Sequence, residues 1–200
     1  MEVLPVILAG GLGKRLWPIS RSNRPKQFLN LIGKYSLFQN TLRRLENLGF
    51  QEALVVCDQD NKFLAEEQAC TLDLDCIFIN EPEGRNTAPA LTLASLNLRK
   101  TDKNLFVIPS DHFMDTNSSF VNSLESAISC SENNKIALFG IETTEPSTAY
   151  GYIKRGKKTL EAYQVESFHE KPNKDLAKKY FSSKTNISHF HGTNVFYASC

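Results

Sequence analysis

The sequence predicts an α/β fold, with a mostly parallel central sheet covered by helices on both faces, on three observations. Short apolar runs near 3–9, 53–57, 75–79, 104–108 and 135–140 alternate with segments of helical periodicity. The runs are continuously apolar, as strands covered on both faces are. The first of them ends directly in Gly10-Gly11-Leu12-Gly13, a strand-to-helix turn of the kind that such sheets carry at their carboxyl ends.

Each element has a local reason. The first strand ends where the glycines begin. Ser36 is placed to cap the first helix, Leu37, Phe38, Thr41, Leu42, Leu45 and Leu48 form its apolar stripe, and Gly49 ends it. A weaker helix is expected near 60–70. Thr87 as N-cap, with Pro89 in the first turn, starts a third helix whose Leu91, Ala94 and Leu98 share a face. Ser118 or Ser119 starts a fourth, with Phe120, Val121, Leu124, Ala127 and Ile128. After Gly140 the pattern changes to shorter polar strands at 151–154 and 161–168, a helix near 174–181 and a last strand at 193–198. With no linker between the parts, this reads as a small α+β elaboration of the sheet within one domain over 1–200. The expected division is a part near 1–140 and a second near 141–200.

Composition bounds the function. At 200 residues, 41% hydrophobic and 22% charged, the chain is long enough for one sizeable core. A net charge of +1 argues against nucleic acid or an anionic membrane as partner. No run approaches the roughly 20 apolar residues of a membrane span, and Glu2 and Pro5 break any signal-peptide pattern, so a cytoplasmic location is expected. The five cysteines, an odd set without C-x-x-C spacing, predict reduced and mostly buried thiols. The histidines do not fall at zinc spacing, apart from the weak pair His189/His191, and Trp17 is expected to pack the loop that carries it.

The chemistry is expected at the strand ends. Gly10, Gly11 and Gly13 let the backbone approach a ligand, and Lys14, Arg15 and Lys26 put cations beside it, which suits a polyphosphate. The loop is not a Walker A motif, because Arg15 follows Lys14 where Ser or Thr would stand. Nor is it the dinucleotide fingerprint, because Leu16 takes the place of the third glycine. Glu81-Pro82-Glu83-Gly84-Arg85-Asn86-Thr87 offers groups that read a base edge, or else is a capped helix start with Arg85 in solvent. Asp111, just past an apolar strand, is a candidate ligand for a hard cation such as Mg²⁺, or an ordinary turn former. Gly151, Glu170 and Lys171 form a glycine approach point and a charged pair that would hold a sugar and a phosphate, or a solvated turn.

The motifs in order are L-A-G-G-L-G-K-R-L-W-P-I-S-R-S-N-R-P-K-Q-F at 8–28, E-P-E-G-R-N-T-A-P-A at 81–90, P-S-D-H at 109–112, Y-G-Y-I at 150–153 and F-H-E-K-P at 168–172. Together they resemble the bacterial-type mannose-1-phosphate guanylyltransferases (GDP-mannose pyrophosphorylases) of the sugar-nucleotidyltransferase family, over nearly the whole chain. The resemblance implies a Rossmann-like nucleotidyltransferase fold and the reaction of GTP with α-D-mannose 1-phosphate to give GDP-mannose and diphosphate, with Mg²⁺. It implies that Arg15 holds the outer phosphates and Lys26 the α-phosphate under attack. Leu8, Ala9, Gly10, Gly11, Gly13 and Lys14 would line the nucleotide, and Arg85, Asn86 and Thr87 would sit near guanine and ribose. Asp111 would bind the metal, and Gly151, Glu170 and Lys171 would face mannose 1-phosphate.

The family commonly has Thr where this chain has Lys14. Where its members read W-N-S-G-M-F, this chain reads His191-Gly192-Thr193-Asn194-Val195-Phe196, so the Asn implied to touch the sugar is missing from its place. Relatives also extend past the position of Cys200, with a second metal-binding Asp and a dimerising β-helix. A truncated chain of weak activity is therefore expected, and its oligomeric state stays open. Two rival readings remain. One is a nucleotide-binding module of the same fold with impaired catalysis, and the other is a related pyrophosphorylase using another sugar 1-phosphate or another nucleoside triphosphate.

Overall fold

The computed structural model describes residues 2–11, 16–21, 23–82, 87–98, 103–114, 116–131, 135–142, 144–159, 162–183, 187–190 and 196–198. Four parallel strands form its centre: β1 (Glu2–Leu8), β2 (Glu52–Asp58), β3 (Asp75–Glu81) and β4 (Lys103–Pro109). They belong to a six-stranded sheet of order β3-β2-β1-β4-β9-β5, in which β5 is Ala137–Leu138 and β9 is Phe196–Ala198.

The side chains of the central strands alternate between two cores. Ile7, Ala9, Ala53, Val55, Cys57, Phe106 and Ile108 bury against α1 (Leu37–Asn47), α2 (Lys62–Ala69) and α4 (Ser118–Ser131). Leu4, Val6, Leu54, Val56, Leu105 and Val107 bury on the opposite face, against Ala90 and Ala94 of α3 (Thr87–Asn97). Both faces are therefore covered, as the continuous apolar runs predict. At the amino ends of the strands, Lys103 pairs with Glu2 and Glu52.

Ser36 caps α1 through a capping box: its hydroxyl accepts from the Gln39 amide at 3.0 Å, and the Gln39 side chain accepts from the Ser36 amide at 3.1 Å. Such a box satisfies two amide donors that the helix itself leaves free.

Beyond β5 the chain builds a separate antiparallel sheet of order β7-β6-β8, from β6 (Gly151–Lys158), β7 (Tyr163–His169) and β8 (Ile187–Phe190). One face of it packs on α5 (Lys174–Ser182) through Tyr152, Ala177 and Tyr180. The Tyr152 hydroxyl accepts from the Ser147 amide and donates to the Ser147 carbonyl, both at 2.9 Å, which ties down the approach to β6.

Three expectations are corrected, and one pairing is new. The strand expected at 135–140 shrinks to two residues, and it pairs antiparallel with β9 rather than continuing the parallel array. β9 itself lies between β4 and β5, a non-local pairing that local patterns do not encode. Thr87 is the first helical residue of α3 rather than its cap. Of the described thiols only Cys57 is buried; Cys70 is exposed, while Cys76 and Cys130 are half-buried.

Candidate active site

The carboxyl ends of the parallel strands bring those expected groups that are described to one edge of the sheet. Leu8 leaves β1 half-buried, Ala9 is buried and donates to the Val56 carbonyl at 2.8 Å, and Gly10 and Gly11 are exposed. Gly11 has φ +104°, a conformation that disfavours any residue with a Cβ. Gly13, Lys14 and Arg15 lie outside the described residues, as do Arg85 and Asn86; Thr87 opens α3, half-buried.

Lys26 begins a short 3-10 turn, Lys26–Phe28, that packs under this loop. Phe28 is buried edge-on against Phe38 at 5.4 Å, which docks the turn on α1. Between them stands Gln27, only 2% exposed, which sequence reasoning passes over. Its side-chain amide donates to the Ala9 carbonyl at 2.8 Å and to the Gly11 carbonyl at 3.2 Å, so it clamps the glycine loop to the lysine turn. The signal available in the sequence is its position next to Lys26; its burial is not legible there.

Asp111 follows β4. The preceding Ser110 donates its amide to the Leu8 carbonyl at 3.1 Å, which carries the β1–β4 register one step past the strand. Beyond Asp111, the His112 carbonyl accepts from Arg44 Nη2 at 2.9 Å. Arg44 is a buried guanidinium of α1 that also donates to Thr41 Oγ1 at 3.2 Å, and burial lowers its pKa. Held from both sides, Asp111 meets Lys26 at 2.6 Å, Nζ to Oδ2, while His112 Nε2 lies 3.9 Å from the other carboxylate oxygen. The two residues expected at the α-phosphate and at the metal therefore stand side by side.

The expected sugar-phosphate group lies on the second sheet. A Cβ on Gly151 would come within 2.6 Å of Phe168 Cζ and 3.1 Å of Glu170 Oε2, so any side chain here obliges Phe168 to shift. Glu170 pairs with Lys171 at 2.8 Å, and Lys171 holds φ +40°, uncommon for a residue with a side chain. His169 makes a tilted ring contact with Tyr180 at 5.2 Å, and the side chains of His189 and His191 fall outside the described residues. Trp17 is not loop packing: it is 77% exposed, because the turn that returns the Ile19 and Ser20 amides to the Leu16 carbonyl faces Trp17 and Ile19 outward and buries Ser20 instead.

Among the described residues no cluster of three or more His, Cys, Asp or Glu side chains could by itself hold a metal ion, and no helix is long and apolar enough to cross a membrane.

The Nucleotidyl transferase family model matches residues 4–188. The mannose-1-phosphate guanylyltransferase RfbM of Salmonella typhimurium LT2 is 44% identical over 189 residues, which cover 92% of this chain and 40% of that protein. The alginate biosynthesis protein AlgA of Pseudomonas syringae is 41% identical over 184 residues, 89% of this chain and 38% of its own length. A solved structure from Thermus thermophilus, described as a mannose-1-phosphate geranyltransferase, superposes with a TM-score of 0.88 at 32% identity, over 100% of this chain and 58% of that one. The chain thus spans about 40% of the length of the curated relatives it matches.

Proposed function

From the premise that the chain belongs to the nucleotidyl transferase family, we propose that it takes part in transfer of a guanylyl group from GTP to α-D-mannose 1-phosphate, giving GDP-mannose and diphosphate. The observation that carries this reading is the contact of Lys26 and Asp111 at 2.6 Å beside the glycine turn. The names of the relatives at 40–44% identity support the sugar and the base.

In this reaction a phosphate oxygen of the sugar phosphate attacks the α-phosphorus of GTP. The bond from that phosphorus to the β-phosphate bridging oxygen breaks, and diphosphate leaves with the electron pair. The attacking oxygen is already ionised at neutral pH, so little is asked of a general base. The difficulty is bringing two polyanions together, and positioning with charge neutralisation addresses it. Lys26 holds the α-phosphate and Arg15 the outer phosphates. The amides of Gly10 and Gly11, in the loop that Gln27 clamps, face the same anion. Residues 1–140 then bind the nucleotide and 141–200 the sugar phosphate, where Glu170 accepts from sugar hydroxyls and Lys171 meets the phosphate.

The donor set fits a divalent cation of the magnesium kind. Asp111 offers one hard carboxylate at a strand end, and such a cation takes one or two protein carboxylates and completes its shell with substrate phosphates and water. When bound, the ion neutralises charge on the transferring phosphate. Lys26 and Asp111 pair with each other at 2.6 Å, which keeps both within reach of an incoming triphosphate.

Diphosphate release from GTP and mannose 1-phosphate with magnesium tests the reading, run beside UTP, dTTP and other sugar 1-phosphates. Release with GTP and mannose 1-phosphate in preference to the other pairs is expected. Nucleotide binding without release would instead favour a binding module, and preference for UTP or dTTP would overturn the guanine assignment.

A further inference from the structure

The helix α1 reaches both members of the Lys26–Asp111 pair at one remove. At its start, Leu37 donates its amide to the Leu29 carbonyl at 3.3 Å, and Phe38 packs edge-on against Phe28 at 5.4 Å, which docks the turn that carries Lys26. About two turns further along, Arg44 Nη2 donates to the His112 carbonyl at 2.9 Å, one residue past Asp111. Between these points, Thr41 Oγ1 lies 3.5 Å from the carbonyl of Ser110, one residue before it.

Arg44 is a costly residue to place there. It is 7% exposed and shares a mostly apolar recess with Leu45, Phe106, Ile108 and Phe120. Among the described residues its acceptors are the Thr41 hydroxyl at 3.2 Å and the His112 carbonyl, both neutral. A guanidinium taken out of water without an opposite charge opposes folding, and an apolar side chain of similar size would fill the recess at less cost. Stability alone therefore does not account for it.

We infer that Arg44 is a positioning residue for the cation: by holding the backbone on the far side of Asp111, it keeps that carboxylate beside Lys26 and available to a divalent ion that arrives with the triphosphate. The inference rests on the nucleotide and metal reading proposed above and adds the residue that sets its spacing. Asp111 stands just past β4, where the sheet register ends with the Ser110 amide on the Leu8 carbonyl at 3.1 Å. With that anchor alone the carboxylate would be free to swing. Arg44 ties the other side, and because α1 also docks the lysine turn, both charges of the 2.6 Å pair are referred to one helix. Groups that orient a metal ligand without touching the metal commonly change metal affinity or activity by about 10- to 100-fold.

Titration calorimetry with GTP on the full chain, with magnesium and with EDTA in its place, tests this on the wild type, Arg44→Met and Asp111→Asn. Methionine keeps much of the apolar stem and removes both donated bonds, so the recess stays filled. The wild type is expected to bind GTP more tightly with magnesium than with EDTA. In Arg44→Met the affinity with magnesium falls about tenfold, while that in EDTA stays within about twofold of the wild type. A merely structural role would lower both alike, and that result overturns the inference, as does an affinity with magnesium left at the wild-type value. Thermal melting checks folding. If Arg44→Met does not fold, Arg44→Lys, which keeps the stem and the charge but not the planar fork, is read in the same way. A wild type that does not respond to magnesium, or an Asp111→Asn variant that keeps the full response, overturns the metal reading itself and the inference with it.

Discussion

Lys26 and Asp111 form an ion pair at the proposed site. Their side chains are 36% and 23% exposed, and an ion pair so open to solvent contributes about 0–1 kcal/mol to stability. Its value lies in placing an ammonium and a carboxylate where a phosphate and a cation arrive. Lys26→Ala is therefore expected to leave the melting temperature nearly unchanged while lowering turnover about 10²-fold, the scale of losing one preorganised donor to a transition state. Arg15→Ala is expected to lower turnover to a similar extent, and steady-state kinetics on both variants check the roles. Glu81 works by the opposite logic, since its burial is a cost. With its pKa raised in the folded state, the native protein keeps a proton that the unfolded chain has released. Stability therefore falls as pH rises from the ordinary glutamate range to the raised value. Melting temperatures across that interval should decline in the wild type and flatten in Glu81→Gln.

At the level of elements, two connections carry the geometry, and both depend on residues other than the expected ligands. Gln27 joins the lysine turn to the glycine loop through two carbonyls. Gln27→Ala leaves the buried Ala9 carbonyl without that donor and is expected to destabilise the fold by about 1–3 kcal/mol. Denaturant unfolding measures the loss, and a weaker GTP affinity should accompany it. On the second sheet, Gly151→Ala would drive Phe168 and Glu170 aside. Because Phe168 is 41% exposed and has room to shift, the expected result is a raised KM for the sugar phosphate at nearly constant melting temperature. What is legible in the sequence follows the physics of each element. The cap and stripe of α1 are readable because Ser36, Gln39 and the leucines act within a few residues of one another. β8 escapes a local reading because Ile187-Ser188-His189-Phe190 has no apolar run, and its strand character comes from pairing with β6.

On the scale of the whole molecule, the parallel sheet accounts for the site: four strands run the same way, so their loops converge at one edge. That convergence is predictable from alternating apolar runs, and with it the neighbourhood of Gly10, Lys26 and Asp111. Gln27 and Glu81 stand within the sequence motifs, but their burial and that of Arg44 inside a polar edge are not legible there, because burial depends on the packed whole. Trp17 misleads for the converse reason, since a large aromatic side chain suggests packing and this one stands in solvent. The antiparallel insertion of β9 between β4 and β5 likewise joins segments far apart in the chain.

In the proposed reading, this edge of the sheet grips a guanine nucleoside triphosphate between the glycine turn, Lys26 and Asp111. A crystal structure of the chain with GTP and magnesium tests it most directly. The triphosphate is expected along Gly10 and Gly11, with Lys26 on the α-phosphate, Asp111 turned to the cation and the 2.6 Å contact between them opened. A triphosphate bound elsewhere, with Lys26 and Asp111 still paired, would contradict it.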